Sequence, residues 1–220
     1  MNKFLNSFLI ASAFYLSLIL FGQDAIAWYF KPILLPFLIF TTYKSEDFST
    51  KKWLLMALLF SWIGDIILMF ADKGELYFIF GLVSFLIAHI LFIVLFIKQK
   101  TENKSTNNLF WLGVVTVLIY LASMLSLLFP KLGELKIPVS IYALTISVML
   151  VMSIKGYFSW QKPNNTLILI GAIFFVTSDS FLAINKFYNP IPSSNFIIMI
   201  TYIVAQYYIT SGILKLNKEN

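Results

Sequence analysis

Eight runs of about twenty predominantly apolar residues follow one another along the chain, with only short polar stretches between them. An α-helix rises about 1.5 Å per residue and the hydrocarbon core of a bilayer is about 30 Å thick, so a run of that length is what one crossing requires. Composition separates such crossings from the buried helices of a soluble fold. Of the 220 residues 60% are hydrophobic and 12% charged, against about 25% charged in ordinary soluble domains. A closed β-barrel, the other architecture that can span a membrane, needs alternating apolar and polar residues. Segments such as 54–69 are apolar on nearly every face. The predicted fold class is therefore all-α, a polytopic transmembrane bundle of about eight helices forming a single integral membrane domain over residues 1–220.

The apolar runs predict helices at 4–22, 26–43, 52–71, 76–97, 108–129, 137–154, 165–185 and 196–214. The stretches 43–52 and 98–108 are polar and read as exposed loops. The start, Met1-Asn2-Lys3 followed by an apolar run and then Ala25-Ile26-Ala27, has the outline of a secretory leader. Its apolar core exceeds the roughly 7–15 residues of such leaders, so it reads as the first spanning helix. The absence of cysteine removes disulfides, thiolate metal sites and cysteine nucleophiles.

Net charge is +6, and all sixteen basic residues are lysine. In a soluble chain that balance would suggest nucleic acid; here the lysines flank apolar runs and act first as topology determinants. With the N-terminus inside, eleven fall on the inner side (Lys3, Lys44, Lys51, Lys52, Lys98, Lys100, Lys104, Lys155, Lys162, Lys215, Lys218) and five on the outer (Lys31, Lys73, Lys131, Lys136, Lys186). Basic loops are retained in the cytoplasm, so both termini are predicted there. Without arginine, the usual bidentate phosphate clamp is missing.

Superposing Asp65 on Asp179, an offset of 114 residues, brings Phe60 onto Phe174, Gly64 onto Ser178 and Leu68 onto Leu182. The second and sixth helices also open alike, near Lys31-Pro32 and Ile137-Pro138. The pattern suggests two parallel four-helix repeats.

An ionisable group within the hydrocarbon costs about 2.5–3.5 kcal/mol on insertion scales, so it calls for a cavity or a partner. Asp65, His89 and Asp179 are such groups. Ser61 precedes Asp65 by one turn, and Asp179 stands within Thr177-Ser178-Asp179-Ser180, where hydroxyls can satisfy a carboxyl. Each aspartate lies about six residues from the outer end of its predicted helix. Two readings stay open: an acid and base pair working in a low-dielectric cleft, or helix-to-helix hydrogen bonding with no chemistry. His89 is either a proton-transfer group or a structural histidine, and one histidine does not make a zinc site. Lys31 and Lys186, at outer helix ends, would attract a lipid phosphate or snorkel to the interface. Trp28, Trp53, Trp111 and Trp160 fit the interfacial aromatic belt. No phosphate-binding glycine loop, serine nucleophile elbow or His-Glu-x-x-His pair is present.

Five segments, in order, resemble the YhhN-like membrane family, which includes the mammalian lysoplasmalogenases: KPILLPFLI at 31–39, SWIGDIILMF at 61–70, GLVSFLIAHILF at 81–92, FVTSDSFLAINKF at 175–187 and ITYIVAQYYI at 200–209. The resemblance implies an eight-helix enzyme that hydrolyses the vinyl ether bond of lysoplasmalogens, with Asp65 and Asp179 as the functional aspartates. Lys31, His89, Tyr142, Ser178, Tyr202 and Gln206 match the family's other polar positions. Vinyl ether hydrolysis begins with protonation of an alkene carbon, giving an oxocarbenium ion that water captures. One aspartate, held protonated by apolar surroundings, would supply the proton while the other stabilises the cation and orients water, as carboxylate pairs do in glycosidases. Asp179 is assigned as the acid and Asp65 as its partner, the reverse assignment staying open, with Lys31 and Lys186 holding the headgroup phosphate. On this reading the partners are a lysophospholipid and the bilayer, without nucleic acid; no metal or organic cofactor is needed, and the setting is a bacterial inner membrane. The competing classes are a small proton-coupled transporter that titrates the two aspartates, and a non-catalytic membrane protein with a structural aspartate pair.

Overall fold

A computed structural model describes residues 2–101 and 108–218. Eight α-helices account for nearly all of them: α1 (Asn2–Leu20), α2 (Asp24–Tyr43), α3 (Lys51–Leu68), α4 (Glu75–Ile97), α5 (Asn108–Leu128), α6 (Lys136–Ser159), α7 (Asn164–Ala183) and α8 (Ser194–Lys218). Among the described residues, seven spans are long and apolar enough to cross a bilayer. The remaining helix, α3, is set apart by three charged residues, Lys51, Lys52 and Asp65, within its 18 residues. The chain is an all-α, multi-pass membrane protein.

Three helix ends differ from the sequence expectation by three residues or more, each because a contact outside the helix decides it. α6 runs past 154 to Ser159, where the Trp160 N–H donates to the Gly156 carbonyl at 2.7 Å and the buried Trp160 ring meets Phe96 edge-on at 5.6 Å. α8 continues to Lys218 because the Asn217 amide donates both to Gln99 Oε1 and to the Ile213 carbonyl, each at 2.9 Å. α3 stops at Leu68: the Met69 N–H is shared between the carbonyls of Asp65 (3.2 Å) and Ile66 (3.3 Å), and the Trp28 indole donates to the Met69 carbonyl at 3.3 Å. Of the two expected loops, the first is a tight turn closed by Lys51, whose Nζ donates to the Ser45 carbonyl at 2.7 Å and pairs with Asp47 at 2.9 Å. The second, including Lys104, lies largely outside the described residues.

Contacts divide the chain into two compact units, Met1–Leu95 and Phe96–Asn220, so that α1 to α3 and all but the last two residues of α4 belong to the first and α5 to α8 to the second. In the first unit the core is built from Leu34, Leu35, Leu38, Leu54, Leu58 and Phe92, all buried. α2 carries Pro32 and Pro36 in its interior. Pro36 has no N–H, so the carbonyl four residues earlier, that of Pro32, loses its helical donor. In hydrocarbon an orphaned carbonyl costs several kcal/mol unless another group supplies a proton. Trp62 of α3 supplies it, its indole Nε1 donating to Pro32 O at 2.7 Å. We expect Trp62→Phe to lower stability by about 1–3 kcal/mol, the cost of a buried acceptor left unmet, while Trp53→Phe, at the helix's first turn, changes it little. Thermal unfolding in detergent compares the two.

In the second unit the defining contact is α7 against α8. A Cβ added at Gly171 would lie 2.8 Å from the backbone nitrogen of Ile209 and 3.0 Å from the Ala205 carbonyl oxygen. At Gly212 it would lie 3.2 Å from the Asn164 carbonyl oxygen. The two helices thus approach backbone to backbone through small residues, the usual device where lipid supplies no hydrophobic driving force. The Phe175 and Tyr202 rings complete the seam, edge-on with centroids 5.6 Å apart.

Candidate functional site

In the second unit, polar side chains from four helices gather around Asp179. The carboxyl sits on α7, half-buried, four residues before the helix end at Ala183 (183 − 179). Tyr142 of α6 donates its hydroxyl proton to Asp179 Oδ2 at 2.5 Å. That bond engages Oδ2 of the carboxyl. Ser180, the next residue, donates back to the Val176 carbonyl at 2.5 Å and is hydrogen-bonded to Tyr120 of α5. Ser178, on the opposite side of the turn, is buried and donates to the Ile198 carbonyl of α8 at 2.9 Å. Ser178 therefore fixes α7 on α8 instead of facing Asp179.

Further along α8, Gln206 Nε2 donates to the Tyr202 hydroxyl at 3.3 Å, both residues being buried. Tyr202 in turn lies within electrostatic range of Tyr142. The expected positions Tyr142, Asp179, Tyr202 and Gln206 are thus linked through one α6–α7–α8 cluster. The Gln206 Oε1 has no hydrogen-bond partner among the described residues. Lys186 is exposed on a π-helical turn (Ile184–Tyr188) that prolongs α7. Such turns concentrate at functional sites because they re-aim side chains.

In the first unit, Asp65 is buried, 4% exposed, three residues before the end of α3 at Leu68 (68 − 65). The preceding Gly64 lets Phe85 of α4 close onto α3; a Cβ there would come within 2.7 Å of the ring. His89 follows Phe85 by one turn, on the same face of α4, and is fully buried. Ser84 ties the same two helices by donating to the Phe60 carbonyl at 2.6 Å. Lys31, half-buried, adjoins Pro32, whose carbonyl is held by Trp62, three residues before Asp65. Tyr15 of α1, also buried, comes within electrostatic range of Asp65.

Tyr15 and Tyr120 were not singled out by sequence reasoning, whereas Ser180 was read there as one of the hydroxyls around Asp179. A usable signal existed for the two tyrosines: each sits mid-helix in an apolar span, whereas membrane tyrosines otherwise collect at the interfaces.

The family model described as the YhhN family matches residues 26–213 of the chain, a range that holds every site residue named above except Tyr15. The chain belongs to the YhhN family. Among curated relatives it is 29% identical over 163 residues to the lysoplasmalogenase TMEM86A of Homo sapiens, covering 69% of this chain and 60% of that protein. It is also 29% identical over 164 residues to a lysoplasmalogenase of Mycobacterium tuberculosis, covering 74% of this chain and 60% of the relative. The matched part of this YhhN-family chain therefore spans under two thirds of the length of these relatives. No solved structure matches it.

Proposed function

We propose that this YhhN-family protein hydrolyses the vinyl ether bond of a lysoplasmalogen, giving a fatty aldehyde and glycerophosphocholine or glycerophosphoethanolamine. The observation that carries the reading is the Tyr142–Asp179 hydrogen bond, a carboxyl held at one oxygen inside a membrane span, in a chain whose curated relatives bear the lysoplasmalogenase name. Asp179 transfers its proton from Oδ1 to the alkene carbon remote from the ether oxygen. The π pair forms the new C–H bond, and the oxygen lone pair supports the cation as an oxocarbenium ion. Water adds to the cationic carbon and loses a proton, which restores the acid at Asp179, giving a hemiacetal. Collapse of the hemiacetal forms the aldehyde C=O and breaks the bond to the glycerol oxygen, which takes up the hemiacetal hydroxyl's proton and leaves as the alcohol. One water is consumed overall, and no electrons are exchanged with a cofactor.

Asp65 is the second carboxyl of this scheme, ionised, stabilising the cation and orienting the water. Tyr142 is a positioning residue. His89, Tyr202 and Gln206 are supporting polar groups, Ser178 is a structural tie, and Lys31 and Lys186 attract the headgroup phosphate as point charges. The lysine distribution supports an orientation with both termini in the cytoplasm.

The test is aldehyde release from a lysoplasmalogen by the purified protein in vesicles. Asp65→Asn is expected to lower turnover about 10²- to 10⁴-fold, the usual range for a positioned acid or base. Full activity in that variant would remove Asp65 from the scheme. No aldehyde from any vinyl ether lysolipid, with substrate uptake driven by a pH gradient instead, would transfer the protein to the transporter class.

A further inference from the structure

A groove of about 900 Å³ opens between α5, α6 and α7, at the upper end of the range of about 300–1,000 Å³ for ligand sites. Its α5 wall includes Gly113, Thr116 and Val117, its α6 wall Leu150 and Ile154, and its α7 wall Leu169 and Ile173. These positions recur at helical spacing, so each wall is one continuous stripe. Followed in one direction, all three stripes reach the Asp179 cluster: Tyr120 lies four residues past Thr116, Tyr142 eight residues before Leu150, and Ser180 seven past Ile173. The Tyr120–Ser180 and Tyr142–Asp179 hydrogen bonds join the stripes at that end.

Resting on the hydrolase reading, we propose that this groove takes the hydrocarbon chain of the single-chain lipid substrate while its vinyl ether lies at Asp179. Length and polarity support that occupant. The helical rise puts Ile173 about 9 Å and Leu169 about 15 Å from Asp179, and about 15 Å is the depth of hydrocarbon that one leaflet's chain fills. Gln161, Lys162 and Asn165, which also line the groove, lie beyond that reach. Ile173 is 47% exposed, so the groove is open along its side and a chain can enter it laterally from the bilayer.

The test uses the full chain in vesicles and a lysolipid whose tail carries a photoreactive diazirine. Cross-links are expected on α5, α6 and α7 at the groove-lining residues, competed by excess unlabelled lysolipid and not by a diacyl phospholipid. Cross-links elsewhere would overturn the proposal, and equal competition by the diacyl lipid would reduce the groove to a seat for bulk membrane lipid. Ile173→Trp fills the groove from an exposed position. It is expected to raise KM for a long-chain substrate about tenfold, the effect of unburying roughly two methylenes, and to leave a short-chain substrate unchanged. An equal rise for both lengths would count against the groove. If the wild-type protein hydrolyses no vinyl ether, the hydrolase reading fails, and the cross-linking arm alone decides whether the groove holds a lipid chain.

Discussion

Asp179→Asn is expected to reduce aldehyde release by about 10²- to 10⁴-fold, the range for removing a general acid, with little change in thermal stability. The amide keeps the carboxylate's shape, and its oxygen still accepts the Tyr142 hydroxyl proton now donated at 2.5 Å. What it loses is the proton for the alkene carbon. Tyr142→Phe makes the complementary change: the carboxyl keeps its proton but loses the bond that orients it. Misplacement of a reacting group by about 1 Å costs up to about 10²-fold, so a fall of about ten- to a hundredfold is expected there. The loss should appear in kcat with KM nearly constant, because the hydroxyl positions the acid and does not bind the lipid. A purely structural Tyr142 would instead lower the yield of folded protein and leave the turnover of the surviving fraction intact. Full turnover in Asp179→Asn would remove this residue from the chemistry.

Gly171→Leu is expected to give no recoverable folded protein, and Gly171→Ala a weakened one. The Cβ at this position meets the Ile209 nitrogen at 2.8 Å and the Ala205 oxygen at 3.0 Å, both backbone atoms. A rotamer change cannot relieve such a contact; α7 and α8 must separate. Overpacking costs about 1–3 kcal/mol, and the better helix propensity of alanine returns at most about 1 kcal/mol, so the net effect of Gly171→Ala is a loss. Size-exclusion profiles and unfolding temperatures in detergent measure both variants. A Gly171→Ala protein as stable as wild type would mean that α7 and α8 are held apart by more than this contact suggests.

Much of the architecture was legible in the sequence because one physical rule, the length of apolar chain needed to cross a bilayer, operates residue by residue. Eight helices were expected, and eight are present among the described residues. The errors at the ends of α3, α6 and α8 share a cause: Met69, Trp160 and Asn217 form bonds or ring contacts with Trp28, Phe96 and Gln99, partners far away in the chain. The site divided in the same way. Asp179 was conspicuous alone, since a carboxylate among apolar residues needs an explanation. Its partner Tyr142 lies 37 residues earlier and came forward only through family resemblance. Ser178, read from its neighbourhood as a companion of Asp179, turns toward α8, because adjacent helical residues point about 100° apart. Gly171 could not be told from the other glycines until a backbone stood beside it.

The closeness of α7 and α8 also has a mechanical consequence. Two helices in backbone contact have almost no free travel between them, so they behave as a single stiff beam that carries Asp179, Tyr202 and Gln206 together. α5 is the opposite case, with Val117 and Leu128 its only buried residues. Within this unit, compliance belongs to α5 and rigidity to the α7–α8 pair, so the wall that yields to an arriving lipid is not the one that carries the acid.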